Sequence, residues 1–232
     1  MSLIQSIRQR DAAQPSFLEV VFCYPGFHAM TLFHPVAHWL WGLGLHTPAR
    51  FWAHVGRLLT GIEIHPQAKI GKNLFIDHGM GVVIGQTATI GDNVTIYHGV
   101  TLGGKGRDAA GSKRHPDIGN NVVIGAGAQV LGNIMVGDNA AVGANSVVTS
   151  PVPPNVTVTG APARIVGPKP GTTCHYGLPE TESDPVGETI SGLLRDVEML
   201  KTALNENGAK PAPAPSANND ADYAERWKGS GI

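Results

Sequence analysis

Between Ile64 and Val148 a branched aliphatic recurs at six-residue intervals, usually with Gly behind it, and that period dictates what this chain can fold into. The frame runs Ile64, Ile70 and Ile76. After two extra residues it continues at Ile84, Ile90, Ile96 and Leu102. A longer excursion from Gly103 to Asp117 interrupts it, and it resumes at Ile118, Ile124, Val130, Val136, Val142 and Val148. Positions two before each are mostly apolar or small, as at Ala68, Val82, Val94 and Ala128. Such self-similarity predicts a parallel β-helix. Each hexad forms one short strand and a turn, three hexads close a triangular coil, and coils stack about 4.8 Å apart through backbone ladders. Gly after the inward residue is expected because a corner asks for backbone angles that a Cβ hinders. An amphipathic helix does not fit, since a six-residue period drifts off one face of a 3.6-residue turn. The bland alternative is a sandwich of short strands.

The 232 residues suffice for one sizeable core, and a formal net charge of -1 makes no electrostatic case for nucleic acid or an anionic membrane. Cys23 and Cys174 sit in different segments, which predicts neither a disulfide framework nor a zinc site and fits a reducing cytoplasm. No Lys, Arg, Asp or Glu occurs from Val20 to Ala49, yet Pro25-Gly26, His28, His34, Pro35, His38, Gly42 and Gly44 leave no run long enough to span a bilayer. The first residues carry no basic, cleavable signal pattern.

Three regions are expected: a helical cap over 1–60, the coil over 61–168 with its loop at 103–117, and an extension over 169–232. The cap reads as apolar helices from Ser16 to Leu59, broken at Pro25-Gly26, around Pro35 and at Thr47-Pro48, with Thr47 as a helix cap. Trp39, Trp41, Phe51 and Trp52 are expected to close the lower end of the coil or to meet a neighbouring subunit. In the extension Val186, Ile190, Leu193, Val197, Leu200 and Leu204 make a short coiled-coil seam over about 186–205, followed by a Pro-Ala run and a polar tail ending at Ile232.

Function is sought where the repeat is irregular, because loops on a rigid scaffold carry binding and catalytic groups. The first irregularity is FIDHGMGVVIG from Phe75, with Asp77 and His78; the second is GGKGRDAAGSKRHPD from Gly103, with Arg114 and His115. His78 and His98 each follow their aliphatic by two residues, which sets both imidazoles on successive coils along one edge. Either alone reads equally well as a hydrogen-bonded turn histidine. Asp77 beside His78, and Glu63 about one coil below, supply carboxylates that can fix its tautomer and make it a general base.

GIEIHP at Gly61, FIDHGMGVVIG, YHGVTLGG at Tyr97, KRHP at Lys113 and IGAGAQVLG at Ile124, in that order, resemble bacterial serine O-acetyltransferase over roughly residues 11 to 168. The resemblance implies a left-handed parallel β-helix, mainly β, that transfers acetyl from acetyl-CoA to the hydroxyl of L-serine in cysteine biosynthesis. It implies His78 as base with Glu63 as its brace, where some members carry Asp. It further implies Asp11, Asp77, Arg114 and His115 as serine ligands. Arg114 suits the carboxylate, and Asp77 with Asp11 the ammonium group. At Asp11 the chain departs from the family pattern, with Ala12 where a proline is familiar. Gly103 and Gly104 are expected near the oxyanion, and Gly104, Ala126 and Ala144 along the pantetheine arm of acetyl-CoA. A nucleotide-end lysine of some relatives is Ala141 here. No permanently bound cofactor or metal is implied.

Acetyl-CoA is expected in a cleft between two neighbouring β-helices, and the resemblance implies a homotrimer. A long helical domain joins trimers into a hexamer in the family, whereas only residues 1–60 precede the coil here. L-cysteine is the expected feedback inhibitor, and Ile232 resembles the terminal residue that enters O-acetylserine sulfhydrylase. The competing functions are acetyl transfer to a sugar or other small hydroxyl, a zinc hydratase built on His65, His78, His98 and His115, and a non-catalytic scaffold acting through Ile232.

Overall fold

The computed structural model describes residues 2–106, 111–168 and 185–206, in two compact units, Met1–Glu182 and Ser183–Ile232. In the first, the hexads form three parallel ladders. Ile64, Ile84, Leu102, Val130 and Val148 stack on the first face. The second face carries Ile70, Ile90, Ile118 and Val136, and the third Ile76, Ile96, Ile124, Val142 and Val158. All but Ile70 are buried, and they share one core cluster with Ala68, Val82, Val94 and Ala128. This is the left-handed parallel β-helix, with an antiparallel hairpin of Val156–Gly160 and Ala163–Pro168 at its upper end.

The hexad glycines have a different reason from the one expected. Gly91, Gly119, Gly125 and Gly137 do not occupy the left-handed region; a Cβ on Gly125 would lie 2.6 Å from the nitrogen of Ala144, and one on Gly91 2.8 Å from the carbonyl carbon of Gly119. They let the next coil approach. Left-handed corners are filled instead by Asn73, Asn93, Asn121, Asn139 and Asn155, the residue that tolerates this conformation best after Gly. Their amides bond along the edge between the second and third faces, Asn73 to Asn93, Asn121 to Asn139 and Asn139 to Asn155, each at 3.1 Å.

Helix α1 (Leu3–Arg10) falls within the cap expected over 1–60 but ahead of the apolar helices read from Ser16; its signal is the capping box of Ser2 and Gln5. Ser16 and Glu19 form a second box on α2 (Phe17–Cys23). After Tyr24 the chain is helical through α3 (Pro25–His28), a π turn at Ala29–Phe33 and α4 (His34–Gly42). The expected break around Pro35 is therefore absent: the helix runs on, changing from π to α at His34, directly before the residue that lacks an N–H. In α5 (His46–Thr60) the cap is Leu45 without a side-chain bond, and Thr47 lies inside the helix. Ile7 and Val20 pack on Phe75, while Gly26 brings α3 so close to the carbonyl of Ile76 that a Cβ would lie 2.1 Å from its oxygen.

Trp39 and Phe51 are 62% and 67% exposed, so in this chain they do not close the coil. Trp52 packs on Phe33, and Trp41 on His46 and His65. The second unit holds α6 (Pro185–Glu206), on which Ile190, Leu193, Val197 and Leu200 are exposed. Cys23 is an exposed free thiol. Cys174 and Ile232 lie outside the described residues. Among the described residues no helix is long and apolar enough to cross a membrane.

Candidate active site

The two residues in excess between Ile76 and Ile84 fold into a tight corner in which Gly79 bonds back to Asp77 and Met80 to His78. His78 adopts φ 59°, the left-handed region that costs a residue with a Cβ about 1–2 kcal/mol. Gly79 and Gly81 flank it at φ 74° and 77°. This conformation turns the imidazole outward, 70% exposed, with Nε2 3.9 Å from Asp77 Oδ2 and its ring 5.9 Å from that of His98. The two histidines occupy successive coils on one edge, as their spacing predicts. Amides of Gly99, Gly127 and Asn145 bond to the carbonyls of Met80, His98 and Ala126, so the same edge, between third and first faces, runs on to Ala126 and Ala144.

Beside His78 opens a cavity of 420 Å³ lined by Asp11, Tyr24, Asp77, His78 and Tyr97. Asp11 ends α1, its amide bonded to the carbonyl of Ile7. Its carboxylate accepts from the amide of Ala13 at 2.8 Å and from the hydroxyl of Tyr24 at 2.5 Å. Arg10 anchors that helix end: Nη1 donates to the carbonyls of Asn93 and Val94 and to Thr95 Oγ1, and Nη2 to the carbonyl of Asn73 at 2.5 Å. Burial lowers its pKa to about 10, which leaves it charged. Burial raises the Asp77 carboxyl pKa, with a further push from Asp11 and opposition from His78 and His98. Burial and then the Asp11 bond hold Tyr24 protonated well above its usual range. Two carboxylates thus face one small cavity beside an exposed imidazole, an arrangement able to hold an ammonium group next to a base.

Arg114 and His115 sit on a different edge, between the first and second faces. His115 is buried, and its Nδ1 receives the amide of Thr87 at 3.1 Å and lies 2.8 Å from Thr87 Oγ1. That hydroxyl accepts the amides of Arg114 and His115, both at 3.1 Å, and the Thr87 carbonyl accepts Lys113 Nζ at 2.5 Å. Lys113 also pairs with Asp117 at 2.7 Å. Gly103, where the excursion leaves the coil, accepts the amide of Gly132 at 2.9 Å.

Glu63 departs from its expected partner. Its carboxylate is bonded to Arg57 at 2.6 Å and lines a separate small cleft with Arg50, His54 and His65. The reason is geometric: Glu63 projects from the first face toward the last turn of α5, while His78 turns to the side where α1 and α2 lie. Within one chain the carboxylate beside His78 is Asp77. Burial, then the charge of Arg50, lowers the pKa of His65 to about 4. Among the described residues no group of three or more His, Cys, Asp or Glu is placed to hold a metal ion. Sequence reasoning missed Arg10, Tyr24, Thr87 and Arg57; the adjacency of Arg10 to Asp11 and the Tyr24-Pro25-Gly26 break were the available signals.

A model of the bacterial transferase hexapeptide (six repeats) matches residues 115–150. The serine acetyltransferase of Mycobacterium tuberculosis is 51% identical over 201 residues, 85% of each chain, and that of Staphylococcus aureus strain N315 is 53% identical over 85% of this chain and 92% of its own. Among solved structures, soybean serine acetyltransferase complexed with serine superposes with a TM-score of 0.67 at 47% identity, covering 70% of this chain and 66% of its own. The Brucella abortus serine acetyltransferase in complex with coenzyme A gives 0.70 at 45%, covering 73% and 67%. This chain thus spans about two thirds of those two solved chains. With about half its residues shared over most of its length, and with the five-motif order and coil architecture already described, the chain belongs to the serine acetyltransferase family.

Proposed function

We infer that this chain transfers the acetyl group of acetyl-CoA to the hydroxyl of L-serine, giving O-acetyl-L-serine and CoA in cysteine biosynthesis. The observation that carries the reading is the His78 corner: a left-handed, exposed imidazole beside a cavity walled by Asp11 and Asp77. Asp11 and Asp77 take the serine ammonium group, and Arg114 with His115 its carboxylate. Serine Oγ gives its proton to His78 and attacks the thioester carbonyl; the C–S bond then breaks, and His78 returns the proton to the leaving thiolate. Amides at Gly103 and Gly104 receive the oxyanion. The pantetheine arm follows the edge past Ala126 and Ala144.

Since the two halves of this clamp lie on different edges of one coil, the site closes between subunits. The His78 edge of one protomer faces the Arg114 edge of the next, where Glu63 braces the neighbouring His78. A homotrimer meets that need. L-cysteine carries the same ammonium and carboxylate and competes for the clamp, Ile232 docks into O-acetylserine sulfhydrylase, and the enzyme works in the cytoplasm.

The test is mixing. His78→Ala and Arg114→Ala chains, each poorly active in a thiol-release assay with acetyl-CoA and serine, regain activity when refolded together, because mixed assemblies contain intact sites. Absence of complementation removes the shared site. A preference for a sugar acceptor removes the serine reading.

A further inference from the structure

We propose that Thr87 is a positioning residue for the serine clamp, holding the base of the excursion and fixing His115 as a neutral imidazole protonated on Nε2. The inference rests on the reading of Arg114 and His115 as the carboxylate ligands. A backbone amide can only donate, and the Thr87 N–H points at His115 Nδ1 from 3.1 Å, so that nitrogen carries a lone pair. The Thr87 hydroxyl agrees. Its two acceptor sites are used by the amides of Arg114 and His115, which leaves its single O–H to donate to Nδ1 at 2.8 Å. With the Thr87 carbonyl engaged by Lys113 Nζ, one residue of the coil grips three consecutive residues of the loop.

Two consequences follow for the reaction. An imidazole whose proton sits on Nε2 is a hydrogen-bond donor there, suited to share an anionic carboxylate with Arg114. It has no free basic nitrogen, because Nδ1 is occupied, so it cannot compete with His78 for the serine proton. The loop termini also come from a rigid rung, which sets the Arg114 backbone before substrate arrives.

Two measurements on the full chain test this. A long-range proton–nitrogen correlation spectrum of the wild-type protein at pH 7.5, with the His115 signals assigned by their loss in His115→Gln, should show an unprotonated Nδ1 and a protonated Nε2. An Nδ1–H tautomer or an imidazolium overturns the assignment without any Thr87 variant having to fold. Kinetically, Thr87→Val should raise the KM for serine by about tenfold or more, since it removes all three hydrogen bonds of the hydroxyl. The KM for acetyl-CoA should stay within about twofold, and Thr87→Ser should restore the wild-type value. An unchanged serine KM in Thr87→Val alone overturns the role of Thr87. An unchanged serine KM in Arg114→Ala instead overturns the clamp on which it stands.

Discussion

Replacing Gly85 and Gly125 by Ala adds the same methyl group behind two inward aliphatics, Ile84 and Ile124, yet the surroundings call for different outcomes. On Gly85 the new Cβ would lie 2.0 Å from Cδ2 and 2.2 Å from Nε2 of His115, a side chain that can swing away. Its departure forfeits the two contacts of Nδ1 with Thr87, each worth about 0.5–1.5 kcal/mol. At about 1.4 kcal/mol per decade, serine binding should weaken by roughly five- to a hundredfold. On Gly125 the Cβ would meet backbone, 2.6 Å from the nitrogen and 2.9 Å from the Cα of Ala144, and nothing there can rotate. Overpacking of that kind costs about 1–3 kcal/mol, which for a chain this size lowers the thermal midpoint by roughly 3–10 °C. Thiol-release kinetics at varied serine, with thermal unfolding of the same preparations, separates the two. Gly125→Ala melting with the wild type, or Gly85→Ala keeping its serine KM, would refute the close-approach account of these glycines.

His78→Ala should cut kcat by about 10²–10⁴ with little change in melting, and His78→Gly, freed of the left-handed penalty, should melt about 2–4 °C above wild type while equally inactive. Near-normal turnover in either removes His78 as the base. Because burial raises the Asp77 pKa, its ionised form costs stability that protonation recovers as pH falls. Asp77→Asn should therefore melt higher at pH 7 and with a flatter pH dependence, while binding serine more weakly; a lower midpoint contradicts this. Burial, then the charge of His38, lowers the His34 pKa to about 4, so the folded ring is neutral and the unfolded one, near 6.5, takes a proton first. Its contribution is full above pH 6.5 and is lost toward pH 4, on the order of 3 kcal/mol. Melting across that window should be steeper in the wild type than in His34→Leu, and parallel curves would refute it.

The hexad frame was legible because a period of six leaves one arrangement that turns its Ile, Leu and Val positions inward, all but Ile70 of them buried. Asp77, His78, Arg114 and His115 were legible as departures from that frame. What the chain kept hidden depends on contacts far apart in sequence. Arg10 and Tyr24 acquire their roles only when α1 and α2 pack beside the corner, and Thr87 looks like any turn residue until the excursion returns to it. The glycines were read correctly as necessary but for the wrong cause, since the distance to the next coil is not written in a single hexad. Glu63 shows a further limit: spacing placed it one coil from His78 but could not say that Arg57 would reach it first. Pro35 misled because the π turn ahead of it is invisible in composition.

The guanidinium of Arg10 makes the wall of the cavity depend on the coil beneath it. It gathers carbonyls of Asn73, Asn93 and Val94, which become neighbours only after two rungs of the prism have been laid. The adjoining Asp11 therefore keeps its post only where those rungs stand in register, as a latch needs its catch. On the proposed reading of Asp11 as an ammonium ligand, a polypeptide with those rungs out of register lacks that half of its receptor, so catalytic competence doubles as a report on architectural integrity.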